Sequence, residues 1–159
     1  MPRISVTEVS SPDELDLVME IWAAANQTRR RPAGPLRTER VREKVAEGQL
    51  VLLAHYGDRP AGMALAETFH DGEYADPDTG HISMISVDPA IWGSGVGGRL
   101  IRHLQQRWSR LSVWVRPDNR RAERLYLACG FVDVDNVSHL QDGEEIRQLV
   151  WQRPTKASP

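Results

Sequence analysis

A short glycine-rich segment constrains the fold of this 159-residue chain more than any other feature. Its sequence is Gly93-Ser94-Gly95-Val96-Gly97-Gly98. An alternating apolar run ending at Val87 precedes it, and an apolar stripe with helical spacing follows it, from Leu100 to Trp108. Glycine lets backbone N–H groups approach a ligand closely, and the N-terminus of a helix favours an anion. The segment therefore predicts a strand, an anion-binding turn and a helix in succession.

Hydrophobic periodicity over the whole chain predicts an α/β fold with a mixed sheet in a single layered domain. The predicted order is strand, two helices, three strands, helix, strand, helix and two strands. Ser11, Thr38 and Asn119 are predicted to cap the starts of three helices. The polar residues 71–80 are predicted to form a turn region, and Asp142-Gly143 is a strong turn signal between the last two strands.

Length and composition are typical of one globular domain. Hydrophobic residues make up 40% of the chain, charged residues make up 26%, and the formal net charge is −2. We expect residues 1–153 to form the domain and residues 154–159 to form a flexible tail. The nearly balanced charge and the lack of a long apolar run predict no nucleic-acid partner and no membrane partner. A cytoplasmic location is expected because the N-terminal residues lack an apolar signal core, and a homodimer is left open.

The surroundings of the glycine segment disfavour other functional motifs. Gly93, Gly95 and Gly98 match the dinucleotide-binding spacing G-x-G-x-x-G, and Asp118 follows about 20 residues later, as that fingerprint requires. Too little chain remains after Gly98 for the second half of that fold, and the glycines do not follow the strand directly. The sequence also lacks the P-loop pattern and the G-x-S-x-G pattern of serine hydrolases. One cysteine, Cys129, and scattered histidines predict no metal site.

The residues around the glycine segment resemble the GNAT superfamily of acyl-CoA N-acyltransferases. That family combines a strand ending in V-x-P, the pattern Q/R-x-x-G-x-G/A at a helix start, and a later N-x-x-A-x-x-x-Y-x-x-x-G-F. This chain has matching residues in that order and spacing: Val87, Pro89, Gly95, Gly97, Asn119, Ala122, Tyr126, Gly130 and Phe131. The resemblance spans most of the chain. It departs from the pattern at Trp92, where Gln or Arg is usual.

The resemblance implies an enzyme, an N-acetyltransferase. It would move an acetyl group from its cosubstrate acetyl-CoA to a primary amine, by direct attack through a tetrahedral intermediate. Backbone groups of Ile85, Ser86 and Val87 would hold the pantetheine and the acetyl carbonyl. Asn119 is also expected to contact the cofactor, and the pyrophosphate would be held by the amides of Gly93, Ser94, Gly95, Val96, Gly97 and Gly98. A non-catalytic acyl-CoA-binding module is the alternative hypothesis, and a nucleotide-binding regulatory protein is a third hypothesis.

Tyr126 and His81 are the main candidates for the proton transfers of such a reaction. The resemblance implies that Tyr126 protonates the departing thiolate, although its place on an apolar helix face also fits a core aromatic. His81 stands where many relatives carry a glutamate, six residues before Val87, and an imidazole can take a proton near neutral pH. A purely structural histidine is an equally good interpretation of His81, and Glu67 is an alternative base.

The amine acceptor is the least constrained part of the prediction. Residues 26–37 and 138–145 are expected to line its site, because loops vary freely on one scaffold. Asp142, Glu144 and Glu145 make the second loop acidic, which favours a cationic acceptor such as a small polar amine or a peptide amine. The arginines at 29–31 argue in the opposite direction.

Overall fold

The strands and helices follow one another in the predicted order. A computed structural model describes residues 2–155, so residues 156–159 of the expected tail lie outside the described residues. The strands are β1 (Ile4–Glu8), β2 (Leu50–Tyr56), β3 (Arg59–Asp71), β4 (Tyr74–Val87), β5 (Arg110–Val115), β6 (Val132–His139) and β7 (Glu145–Gln152). The helices are α1 (Pro12–Asn26), α2 (Pro35–Ala46), α3 (Val96–Arg107) and α4 (Arg120–Ala128), with a 3-10 turn at Pro89–Ile91. No helix within residues 2–155 is long and apolar enough to cross a membrane.

The seven strands form one mixed sheet in the order β1-β2-β3-β4-β5-β7-β6. β4 and β5 pair in parallel, whereas β1 with β2, β2 with β3, β5 with β7 and β6 with β7 pair antiparallel. A parallel pair needs a crossover connection, and α3 supplies the one between β4 and β5. The predicted α/β class with a mixed sheet is confirmed.

The start of α2 differs from the prediction, which took Thr38 as its cap. The N-cap is Gly34, and Pro35 occupies the first turn, where its fixed φ angle suits a helix. The Thr38 hydroxyl instead donates a hydrogen bond to the Gly34 carbonyl oxygen at 2.9 Å. The predicted cap at Ser11 is confirmed, because its side chain accepts a hydrogen bond from the Glu14 amide at 3.3 Å.

The prediction of a turn region over residues 71–80 was wrong for most of its length. Only a tight turn at Gly72, which has a φ angle of +61°, separates β3 from β4. Thr79 and Gly80 belong to β4, where they pair with Arg110 and Leu111 of β5. Pairing with a neighbouring strand overrides the weak strand propensity of these polar residues.

The chain forms two compact units, residues 2–67 with 83–103 and residues 68–82 with 104–155. In the first unit, the apolar faces of α1 and α2 share a core with β2 and β3: Val18, Met19, Ile21, Trp22, Val41, Val45, Val51, Leu53, Met63 and Leu65. In the second unit, buried side chains come from the end of α3, the residue that follows it, β5, α4 and β7: Leu104, Trp108, Leu111, Val113, Tyr126, Leu149 and Trp151.

Gly80 of β4 lies against the indole ring of Trp108, and an added β-carbon would overlap that ring. We expect Gly80→Ala to lower the free energy of unfolding by about 1–3 kcal/mol, the usual cost of overpacking. Because Tm falls by about 2–4 °C per kcal/mol at this size, Tm should drop by about 2–12 °C. Thermal unfolding followed by circular dichroism measures this.

Gly34→Ser is the matched control. Nothing lies within 4 Å of a β-carbon added at Gly34, and serine is a good N-cap residue for α2. Tm of this variant should not fall. If both variants lose the same stability, the contact with Trp108 does not explain the glycine at position 80.

Candidate functional site

The glycine segment forms the turn that leads into α3. Gly93 and Gly95 have φ angles of +84° and +95°, which residues with a β-carbon rarely adopt. The hydrogen bond from the Arg99 amide to the Gly95 carbonyl, 3.1 Å long, begins the helical pattern. The four amides before Arg99 therefore have no acceptor within the helix, namely those of Gly95, Val96, Gly97 and Gly98. They lie at the positive end of the helix dipole, which is suited to an anion.

Ser94 differs from its neighbours in the segment. Its amide donates to the Ile91 carbonyl oxygen at 3.3 Å, and its hydroxyl donates to the same oxygen at 2.6 Å. Both donors thus stabilise the turn in the structure described. The expected contact of Ser94 with pyrophosphate stays a prediction.

Gly62 of β3 allows α3 to pack closely on the strand. A β-carbon there would lie 2.7 Å from Val96 Cγ1 and 3.0 Å from Leu100 Cδ1, and both side chains are buried. Gly62 therefore sets the distance between β3 and the helix that the glycine turn begins. We did not predict this role from the sequence, although a glycine inside a strand often marks a close approach of backbone or helix.

The end of β4 is braced by several hydrogen bonds. The Asp88 amide donates to the Ala61 carbonyl at 2.8 Å, and the Asp88 carboxylate accepts from the Ala90 amide at 3.0 Å and from Arg59 at 2.8 Å. The indole N–H of Trp92 donates to the Val87 carbonyl at 3.0 Å. Trp92, the departure from the family pattern, therefore ties the glycine turn to the last residue of the strand.

The predicted residues Ile85, Ser86 and Val87 are the last three residues of β4, and all three are half-buried. They lie in the first unit with the glycine turn. Asn119 lies in the second unit, where it is exposed and caps α4 by accepting a hydrogen bond from the Ala122 amide at 3.2 Å. The capping role is confirmed, and its contact with a cofactor stays a prediction.

Tyr126 of α4 has a buried ring and is only 3% exposed. The ring packs against Phe131 with 5.3 Å between ring centroids. No hydrogen bond joins the Tyr126 hydroxyl to another of residues 2–155. Burial raises the pKa of Tyr126 well above its usual value, so the phenol stays protonated at neutral pH.

The two candidate bases each face a serine hydroxyl. In the second unit, His81 Nδ1 lies 3.3 Å from Ser112 Oγ, and the half-buried imidazole lies 6.1 Å from the Phe69 ring, measured between centroids. In the first unit, the Ser83 hydroxyl donates to Glu67 Oε1 at 2.7 Å. Within residues 2–155, no three His, Cys, Asp or Glu side chains group in a way that could hold a metal ion.

The two loops expected near the acceptor are held by polar contacts. Asn26, only 4% exposed, accepts from the Ala33 amide at 3.0 Å and donates to the Ala33 carbonyl at 3.2 Å, which closes the loop after α1. In the last hairpin, Glu144 pairs with Arg116 at 3.0 Å and Glu145 lies 3.9 Å from Arg147. These partners reduce the negative charge that the sequence suggested for that hairpin.

Comparison with known proteins identifies the family. The model of the acetyltransferase (GNAT) family matches residues 15–131. Mycothiol acetyltransferase from Mycobacterium sp. (strain JLS) is 33% identical over 95 residues, which cover 49% of this chain and 31% of that protein. Mycothiol acetyltransferase from Catenulispora acidiphila is 28% identical over 107 residues, covering 62% of this chain and 34% of that protein. This chain thus matches about a third of the length of these curated relatives.

Solved structures share the fold at low sequence identity. The ribosomal-protein-S18-alanine N-acetyltransferase from Escherichia coli superposes with a TM-score of 0.70 at 18% identity, covering 98% of this chain and 97% of that one. A Salmonella typhimurium structure that contains its cofactor acetyl-CoA gives a TM-score of 0.67 at 18% identity, with the same coverage of both chains. With the family model matching most of its length and the fold shared throughout, this chain belongs to the acetyltransferase (GNAT) family.

Proposed function

We propose that this protein transfers an acetyl group from acetyl-CoA to a primary amine. The observation that carries the proposal is the glycine turn at the start of α3, in a chain of this family. Four successive amides there have no acceptor within the helix, and two glycines adopt positive φ angles. Acetyl-CoA carries a pyrophosphate, and such a group fits amides at a helix N-terminus.

The proposed reaction needs two proton transfers. The amine nitrogen attacks the thioester carbonyl carbon, the carbon–sulfur bond breaks, and the departing thiolate takes a proton. In our proposal Tyr126 gives that proton, because its phenol is protonated at neutral pH and stands at the family position of the motif tyrosine. His81 takes a proton from the amine nitrogen, with Glu67 as the alternative base.

We propose a small polar amine or a peptide amine as the acceptor. The mycothiol acetyltransferases that this chain matches in part are named for a small molecule. The S18-alanine N-acetyltransferase of similar fold is named for a protein alanine. An acceptor screen should therefore contain small polar amines and peptides with a free N-terminal alanine, with release of the CoA thiol as the signal.

Acetyl-CoA is expected to stabilise the folded protein, whereas NAD is not. A ligand at about 100 times its Kd adds about 2.7 kcal/mol to the free energy of unfolding, which raises Tm by about 5–11 °C at this size. Thermal unfolding with each ligand measures the difference. Equal shifts with both ligands, or no shift with acetyl-CoA, would contradict the proposed binding site.

Turnover separates an enzyme from a non-catalytic acyl-CoA-binding module. An enzyme should release the CoA thiol faster when an accepted amine is present, in proportion to the acetylated amine formed. Stabilisation by acetyl-CoA without acetylation of any amine in the screen would favour the binding module.

A further inference from the structure

Glu67 differs from the other half-buried carboxylates of the first unit. In the described part of that unit there are three of them, Glu14, Glu67 and Asp88. Glu14 accepts from a backbone amide at 3.1 Å, and Asp88 accepts from a backbone amide at 3.0 Å and from an arginine at 2.8 Å. Among residues 2–155, Glu67 has one hydrogen-bond partner, the Ser83 hydroxyl at 2.7 Å, and no cation pairs with it.

The hydrogen bond between Ser83 and Glu67 has a defined direction. A carboxylate only accepts hydrogen bonds, so the serine hydroxyl is the donor and Glu67 Oε1 is the oxygen that it holds. A carboxylate offers about four acceptor sites on its two oxygens. Glu67 Oε2 therefore remains available to a donor that the protein itself does not supply.

The two strands that carry this pair contribute no positive charge around it. The chain has no Lys or Arg from Pro60 to Gly98, a range that includes β3 after its first residue and all of β4. Withdrawing a carboxylate from water costs free energy, which a cation that donates hydrogen bonds offsets best. The ligand that suits Glu67 is therefore a cation with N–H donors.

The pair lies close along β4 to the residues expected to hold the acetyl group. β3 and β4 are neighbours in the sheet, and Ser83 precedes Ile85 by two residues in the same unit. Two residues of a strand span about 6–7 Å, and their side chains share a face. A nitrogen about 3 Å from a carboxylate oxygen and about 3 Å from a carbonyl carbon fits that span.

We propose that Glu67 binds the nitrogen of the acceptor amine through Oε2, and that Ser83 is a positioning residue that holds Oε1. The inference rests on the proposed function and names the substrate class of the same site: aliphatic amines that are positively charged at neutral pH. Such an amine enters as an ammonium ion and donates a charge-assisted hydrogen bond to the carboxylate.

The same carboxylate also acts during the reaction. The ammonium ion loses one proton to water, and the neutral nitrogen attacks the carbonyl carbon. The nitrogen is then positively charged again in the tetrahedral intermediate, until the base takes its second proton and the carbon–sulfur bond breaks. Glu67 stabilises this positive charge without taking a proton.

Glu67→Gln tests the charge of this group. Glutamine keeps the shape of the side chain and an oxygen that can accept from Ser83. KM for the best amine of the screen should rise about 10- to 100-fold, the effect of losing a hydrogen bond to a charged group, with KM for acetyl-CoA unchanged. Glu20→Gln is the matched control, because Glu20 is exposed on α1 and has no hydrogen bond or ion pair within residues 2–155. It should change neither KM.

A neutral analogue separates charge from shape. In this analogue a hydroxyl replaces the amino group of the best amine, and its inhibition constant is measured in competition with that amine. The inhibition constant should be nearly the same in the parent and in Glu67→Gln, because the analogue carries no positive charge. Equal weakening of the amine and of the analogue would overturn the inference, since the substitution would then have altered the shape of the site.

Ser83→Ala tests the positioning role and provides a second test if Glu67→Gln folds poorly. Without the hydroxyl, Oε1 loses its donor and the carboxylate is free to rotate. KM for the amine should rise about fivefold, the effect of one ordinary hydrogen bond. Ser83→Thr keeps a hydroxyl and should restore most of the parent value.

These measurements separate failure of the inference from failure of the proposed function. An unchanged KM for the amine in folded Glu67→Gln or in Ser83→Ala would overturn the inference, even if the protein acetylates amines. A lower kcat in Glu67→Gln with an unchanged KM for the amine would overturn it as well, and would make Glu67 the base. Absence of acetyl transfer to every amine would instead overturn the proposed function.

Discussion

Tyr126→Phe is expected to lower kcat by about 10²- to 10⁴-fold, the range that a positioned acid contributes. The substitution removes only the hydroxyl and keeps the ring that packs against Phe131. Affinity for acetyl-CoA should be nearly unchanged, because the proton is needed only when the thiolate leaves. Steady-state kinetics with the best amine, together with a direct measurement of the Kd for acetyl-CoA, checks both expectations.

Stability provides an internal control for this variant. The Tyr126 hydroxyl forms no hydrogen bond to any of residues 2–155, so its removal should leave Tm close to that of the parent. Tyr74→Phe is the matched variant, because Tyr74 is 67% exposed and lies in the same unit. It should retain full activity. An unchanged kcat in Tyr126→Phe would make Tyr126 a core aromatic only.

Gly95→Ala is expected to weaken acetyl-CoA binding by about 5- to 100-fold. A side chain at a φ angle of +95° costs about 1–3 kcal/mol of backbone strain. If the turn relaxes to relieve that strain, the amides at the start of α3 move away from the positions that suit a pyrophosphate. Titration calorimetry with acetyl-CoA measures the change in Kd.

Gly72→Ala controls for the strain itself. Gly72 also has a positive φ angle, +61°, but lies in the hairpin between β3 and β4, far along the chain from the glycine turn. Both variants should lose stability, and only Gly95→Ala should lose affinity for acetyl-CoA. If the two variants bind acetyl-CoA equally well, the glycine turn is a structural turn and does not hold the cosubstrate.

The sequence alone was sufficient for the order of strands and helices, for two of the three predicted helix caps and for the family. A cap such as Ser11 or Asn119 acts on an amide three residues away, so its signal is contained in a few neighbouring residues. The third cap, Thr38, was wrong for the same local reason: Gly34 followed by Pro35 is a competing start signal four residues earlier.

Pairing between distant segments was decided only in the tertiary structure. Ser112 faces His81 from 31 residues away and Gln148 faces Ser112 from 36 residues away, and both contacts depend on strand register. Gly62 meets Val96 and Leu100 because β3 and α3 pack together. Hydrophobic periodicity predicts which face of a helix or strand is buried, but it does not predict which element packs against that face. The residues that could do the chemistry were therefore visible in the sequence, whereas the partners that orient them were determined by strand register and packing.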